Sequence, residues 1–158
     1  MSKRSASTGL VNELNRALAL EYAATVQYLQ QSFLVTGTER QVFQPFFAGQ
    51  SSEAFRHASD LGHRIVSLGG VPTVEPALIR QATKLDDMLH QDLETEREAL
   101  AAYMKAWEVA GEIPPLRFWL EAIISTEQMH IEELEKLTSD RSVREGSVEP
   151  EVRLKAAV

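Results

Sequence analysis

Between Leu116 and Leu137 the apolar residues recur at helical spacing, and the stripe is broken at Glu127 and His130. The run reads Trp119-Leu120-Glu121-Ala122-Ile123-Ile124-Ser125-Thr126-Glu127-Gln128-Met129-His130-Ile131-Glu132-Glu133-Leu134. A helix that turns such a stripe inward buries whatever stands on it. A buried carboxylate is costly unless it is paired or bound to a metal. Three residues apart on a helix, a carboxylate and an imidazole leave the same face and can grip one ion. The chain must therefore bring partners to Glu127 and His130 from elsewhere.

Helix A is expected over residues 8–36, ended by Gly37, with the stripe Leu10, Leu14, Ala17, Glu21, Ala24, Tyr28 and Val35. Again a glutamate interrupts an apolar seam. Helix B is expected over 41–68, with irregular first turns around Pro45 and Gly49 and a stop at Gly69-Gly70. Its stripe is Phe43, Phe47, Gln50, Ala54, His57, Leu61, Ile65 and Leu68, so His57 faces inward with Glu53 one turn before it. The stretch up to about Ala82 holds Pro72 and Pro76 and is long enough to carry the chain the length of a bundle, leaving helix C parallel to helix B. Helix C, 83–110, runs Leu85, Leu89, Leu93, Glu96, Leu100, Tyr103 and Trp107 along one face. Periodicity selects Glu96 over Glu94 and Glu98, which read as a solvated face together with Glu132 and Glu133. Pro114-Pro115 open helix D, 114–137, in the turn where proline is tolerated. The fold class is thus an all-α, up-down-down-up four-helix bundle over 1–138 with a long B–C crossover. Residues 139–158 read as a polar tail, loose or with one short helix.

The two halves repeat. Glu21 is followed seven residues later by Tyr28, and Glu96 seven residues later by Tyr103. Helices A and C each supply a lone glutamate; helix B supplies His57, and helix D supplies Glu127 with His130. Four antiparallel helices would gather these side chains at mid-bundle, the inventory of a di-metal carboxylate site. His63 and His90 read as partly exposed, Trp107 and Trp119 as packing, and Tyr103 as a core aromatic with a satisfied hydroxyl.

At 158 residues, 44% hydrophobic and 25% charged, the chain is expected to be one soluble domain. Its net charge of −7 disfavours a nucleic-acid surface and is compatible with drawing in cations. The absence of cysteine excludes disulfides, zinc–thiolate sites and iron–sulfur centres within the chain. The first residues lack the apolar core of a signal peptide, and no apolar run approaches membrane-spanning length, so a cytoplasmic location is expected.

The sequence resembles the ferritin-like superfamily, most closely its bacterioferritin branch. The matching words are Leu20-Glu21 with Gln27-Tyr28, His57-Ala58 with Leu68-Gly69-Gly70-Val71-Pro72, Met88-Leu89 and Asp92-Leu93 with Glu96, and Glu127-Gln128-Met129-His130. They span roughly residues 8–138. The resemblance implies Glu21 and Glu96 as terminal ligands, His57 and His130 as imidazole ligands, Glu127 as a bridging carboxylate, and Tyr28 as a hydrogen-bonding neighbour. It implies two iron ions, with manganese as the alternative.

Three departures stand out. Where the family pattern places a second bridging glutamate, three residues before His57, the chain has Ala54, with Glu53 beside it. One residue of offset rotates a side chain by about 100°. Either Glu53 reaches inward, aided by a π-bulge in helix B, and completes the metal site, or it faces outward and one bridge is missing. Phe55 stands where bacterioferritins carry the haem-ligating methionine, so no haem is expected. The tail lacks the apolar helix that lines the channels of large ferritin cages. The resemblance implies oxidation of Fe(II) by O2 or peroxide, with storage or detoxification of the product, in a homodimer or higher homo-oligomer without nucleic-acid or membrane partners. The alternatives are a small di-iron peroxidase or oxygenase, and a non-enzymatic bundle with a degenerate site.

Overall fold

The computed structural model describes residues 3–111 and 113–139, with side chains from Thr8 onward. Four helices follow one another: α1 (Lys3–Leu34), α2 (Arg40–Ser67), α3 (Leu85–Val109) and α4 (Pro114–Thr138). α1 begins at Lys3 rather than near Thr8, and α2 runs unbroken through Pro45 and Gly49 instead of starting irregularly. Proline here removes the bond to the carbonyl of Gln41, an exposed residue near the helix start, where water replaces the lost donor. All but the first residue of the expected tail lies outside the described residues.

The helix ends are set locally. Gly69 adopts φ +79°, and the amides of Gly69 and Gly70 return to the carbonyls of Val66 and Ile65, each at 2.9 Å. This is the Schellman closure, which needs a residue free to enter the left-handed region. Gly70 is required for a different reason: a Cβ there would lie 2.6 Å from a Val11 methyl.

Side-chain pairings fix the directions. Ser51 Oγ donates to the Thr25 carbonyl at 2.8 Å, and Gly70 at the foot of α2 meets Val11 near the start of α1, so α2 descends as α1 rises. The extended segment 68–84 then climbs along α1. Asn15 holds the Val71 carbonyl and the Thr73 amide, the Ala77 amide reaches the Ala19 carbonyl, and the Arg80 amide reaches Gln27 Oε1. α3 descends, with Asp92 beside Gln31, Glu96 beside Tyr28 and Tyr103 beside Glu21. α4 returns along it, from Glu121 beside Trp107 to Glu135 beside Arg97. The order is up-down-down-up, as the long crossover predicts.

α1 packs against α2 and α3, and α3 against α4, but among the described residues no Cα of α2 comes within 8 Å of one in α4. The fourth side, between α2 and α4, is a wider slot spanned by side chains: Arg64 lies over the Trp119 ring at 5.0 Å, and Glu53 comes within 3.3 Å of His130. The core divides into two bodies, one around Leu14, Leu18, Leu61, Ile65 and Leu120, the other around Phe47, Met88, Leu89 and Leu134. Each such buried apolar side chain contributes about 1.5–3 kcal/mol. Between the two bodies lies a layer of buried carboxylates and partly buried imidazoles.

Candidate metal centre

Glu127 stands at the middle of that layer, 2% exposed, and its two oxygens serve different neighbours. Oε1 lies 3.0 Å from His57 Nδ1, and Oε2 lies 3.6 Å from His130 Nδ1. Glu21 Oε1 lies 3.3 Å from the same nitrogen of His57, and Glu96 Oε2 lies 3.7 Å from that of His130. Two triads result: Glu21, His57 and Glu127, and Glu96, Glu127 and His130, the donor atoms of each lying within 4.8 Å of one another. They share one carboxylate. Oxygen and imidazole donors without sulfur suit iron or manganese, so the donor set fits a pair of such ions.

Each terminal glutamate is braced by a tyrosine from the opposite helix. Tyr28 on α1 donates its hydroxyl to Glu96 Oε1 at 2.5 Å, and Tyr103 on α3 donates to Glu21 Oε1 at 2.5 Å. In an antiparallel pair a step of seven residues forward on one helix matches seven back on the other, so the repeated Glu–Tyr spacing produces crossed pairs. Burial and the neighbouring carboxylates hold both phenols well above their ordinary pKa, as protonated donors.

The electrostatics of the layer are strongly coupled. Burial opposes a charge on His57, but hydrogen bonds to Glu127 and Glu21 outweigh it and push the imidazole up to about 10. Burial likewise opposes a charge on His130, and Glu127 and Glu96 push it up to about 10. Burial raises Glu96 to about 8 and also raises Glu21. Glu127 goes the other way: burial resists its charge, yet hydrogen bonds from His130 and His57 hold it at about 2. As cations, the imidazoles balance the buried carboxylates, and divalent ions bound at the same place would displace those protons.

Glu53 stays outside both triads. Its Oε2 lies 3.3 Å from His130 Nε2, on the far side of the ring from the other carboxylates, and its Oε1 lies 3.5 Å from Arg56. α2 is α-helical throughout with no π turn, so the one-residue offset stands, and Ala54, 6% exposed, takes the inward position. Phe55 is 65% exposed beside the slot between α2 and α4, which is also lined by His57, Arg56, Trp119 and Ile123. His63 and His90 are exposed, as are Glu94, Glu98, Glu132 and Glu133.

A ferritin-like domain pattern matches residues 11–142. The chain belongs to the ferritin-like domain family. Within it, the bacterioferritin of Desulfovibrio desulfuricans is 27% identical over 136 residues, covering 82% of this chain and 74% of that one. A protein named nutrient stress-induced DNA-binding protein, from Synechococcus sp., is 31% identical over 107 residues, 61% of each chain. This chain spans 61% of the length of that relative and 44% of its counterpart from Nostoc sp.. A solved structure described as ferritin-like, diiron-carboxylate proteins from Bacillus anthracis superposes with a TM-score of 0.83 at 35% identity, covering 88% of this chain and all of that one. A dodecameric thioferritin from Bacteroides fragilis, at 24% identity and a TM-score of 0.78 over 94% of this chain and all of that one, shares the fold.

The structure brings Glu21, His57, Glu96, Glu127 and His130 together and leaves the sixth expected donor, Glu53, outside; two further residues carry more than their spacing alone suggests. Tyr103 is a core aromatic with a satisfied hydroxyl, but its acceptor is a carboxylate of the centre. The seven-residue repeat carried that signal. Asp92 is fully buried above the layer, accepting hydrogen bonds from Gln27 Nε2 at 2.8 Å and Gln31 Nε2 at 2.7 Å. Its second oxygen has no partner, nor has Gln31 Oε1. Burial pushes its carboxyl up to about 7.

Proposed function

We propose that this ferritin-like protein takes Fe(II) as substrate and oxidises it with O2 or peroxide at the layer between the two core bodies. The observation that carries this reading is the orientation of Glu127, one oxygen toward each histidine, with a terminal glutamate on either side. Glu21 and His57 would hold one ion, Glu96 and His130 the other, and Glu127 would bridge them. A pair of ferrous ions supplies two electrons to one oxidant molecule. The chain's own part is positional: Tyr28 and Tyr103 hold the terminal carboxylates, and Glu53 orients His130 through its outer nitrogen. The similarity to bacterioferritins supports storage or detoxification of the ferric product. Self-assembly belongs to the same proposal, supported by Val26, Leu29 and Phe33, which share one face of α1 and are 43–67% exposed. So does a cytoplasmic location; among the described residues no helix is long and apolar enough to cross a membrane.

The test is Glu127→Ala, with Glu127→Gln as the isosteric check. Rapid ferrous oxidation should vanish in both while helix content by circular dichroism is kept. Oxidation at the unaltered rate in either folded variant would sink the assignment. One observation favours a second reading, a small di-iron peroxidase or oxygenase: the slot beside His57 carries the apolar walls Phe55, Trp119 and Ile123. Turnover of an organic hydroperoxide faster than that of ferrous iron would select it. DNA binding, suggested by the names of two relatives, is disfavoured by the net charge of −7, and a mobility-shift assay addresses it directly.

A further inference from the structure

The approximate two-fold relation that carries Glu21 onto Glu96 and His57 onto His130 also carries Glu53 onto Thr126, since each stands four residues before its histidine. Both imidazoles turn Nδ1 toward Glu127, so Nε2 of each leaves the layer on the far side of its ring. Those outer nitrogens are treated differently. His130 Nε2 meets Glu53 Oε2 at 3.3 Å. Thr126 borders the same cavity as His57, but its hydroxyl is turned back onto its own helix, donating to the Ala122 carbonyl at 3.2 Å. Among the described residues, His57 Nε2 has neither a hydrogen bond nor an ion pair.

The two rings are almost equally sheltered, with side chains 12% and 15% exposed, so they differ in partners and not in access. An imidazole whose outer N–H is held by a carboxylate is fixed in tautomer and orientation and is the more basic ligand; losing that partner costs about 10- to 100-fold in metal affinity. Glu53 also brings a negative charge to the His130 side. Its neighbour Arg56 has a side chain 70% exposed, so solvent screens that pairing at 3.5 Å. Asp60 borders the cavity at His57 but forms no ion pair with it. That cavity, of about 480 Å³, opens between α2 and α4, so the less firmly held ring is also the one beside the slot.

We infer that Glu53 and Thr126 are positioning residues that make the two ion positions unequal. Glu53 makes the position at Glu96 and His130 the retained one. Thr126, by leaving the His57 ring held at one nitrogen, makes the position at Glu21 and His57 the exchangeable one, which fills last and empties first. The inference rests on the two-ion reading of the centre.

The experiment is a titration of the metal-free full chain, labelled with 15N at histidine, with Zn(II), a redox-inert ion that takes the same nitrogen and oxygen donors. The inward nitrogen of each ring shifts when it coordinates. His130 should respond first, and His57 only at about tenfold higher free zinc or more. Repulsion between the ions separates two steps even in a symmetrical centre, so the order in which the rings respond carries the information. Thr126→Glu supplies from α4 the partner that Glu53 supplies from α2. It should tighten the His57 position about 10- to 100-fold and slow solvent exchange of the His57 ring N–H. Thr126→Gln, an acceptor without the charge, should do part of both and serves if the glutamate variant does not fold. Glu53→Thr should loosen the His130 position by a similar factor and leave the His57 position as it was. Two ions bound with His57 responding first, or with binding steps and N–H exchange unchanged in the folded Thr126 variants, would overturn the inference and leave the two-ion centre standing. Saturation at one ion or none in every protein would overturn both.

Discussion

Asp92 is the residue whose chemistry is most exposed to test. Its carboxyl lies between Gln27 and Gln31, both of which donate to one oxygen, and the other oxygen is orphaned. A neutral carboxylic acid relieves that arrangement because it brings a donor of its own. With a native pKa near 7 against 3.8 in the unfolded chain, the folded state binds the extra proton between those values. Stability therefore falls as pH rises from about 4 to about 7, and above that the full penalty of a buried charge is in force. Asp92→Asn keeps the acceptor and adds the donor permanently. Denaturant unfolding should show the variant gaining on the wild type as pH is raised from 5 to 8, by up to a few kcal/mol. A gap that does not change with pH would mean Asp92 is ionised throughout.

The residue scale is also where the sequence is most and least informative. Glu21, Glu96 and Glu127 are legible because a carboxylate on an apolar stripe has few physical excuses, and His57 and His130 follow from their register with them. Periodicity reports burial and not the partner. It could not tell that the Tyr103 hydroxyl ends on Glu21, or that Asp92 is buried, since Asp92 lies one step off the stripe drawn for helix C. The direction of Glu53 is open in the sequence for a related reason: a single-residue offset turns a side chain through about 100°, and only the regular α-helical course of α2 decides which way it points.

At the scale of elements, the junction between α2 and the crossover depends on one close approach. Gly70 lets the chain pass against Val11 on α1, and a Cβ there would press into both Val11 methyls and into Ile65. Gly70→Ala should destabilise the fold by about 1–3 kcal/mol, the ordinary cost of overpacking. Val11→Ala should recover part of that loss in the double variant, which thermal unfolding of the four proteins would measure. Additive losses would place the cost elsewhere. The crossover itself is legible in its prolines, and the pairing of Asn15 with Val71 and Thr73 shows how its path along α1 is fixed. The unbroken start of α2 is not legible there, because a proline near an exposed helix end loses less than one in the interior.

For the molecule as a whole, the repeat of Glu and Tyr gives the centre an approximate two-fold symmetry, with each half braced by the other. Tyr28→Phe and Tyr103→Phe remove the matching donors, so each should weaken metal binding by about 10- to 100-fold and to a similar extent. Mn(II) titration of both variants checks this. A loss confined to Tyr28→Phe would mean that Tyr103 only fills space. The approximate symmetry ends at α2, where Ala54 faces Glu127 across the layer.

The wider side between α2 and α4 has a mechanical consequence. The bundle resembles a book whose spine is the α1–α3 contact and whose boards are the α1–α2 and α3–α4 pairs; the fore-edge, between α2 and α4, is closed by side chains rather than by close backbone packing. His57 and Glu127 meet across that edge, so the centre lies just inside this margin. An ion passing through this margin would have to part side-chain contacts, Arg64 from Trp119 and His57 from Glu127, while the spine stays closed.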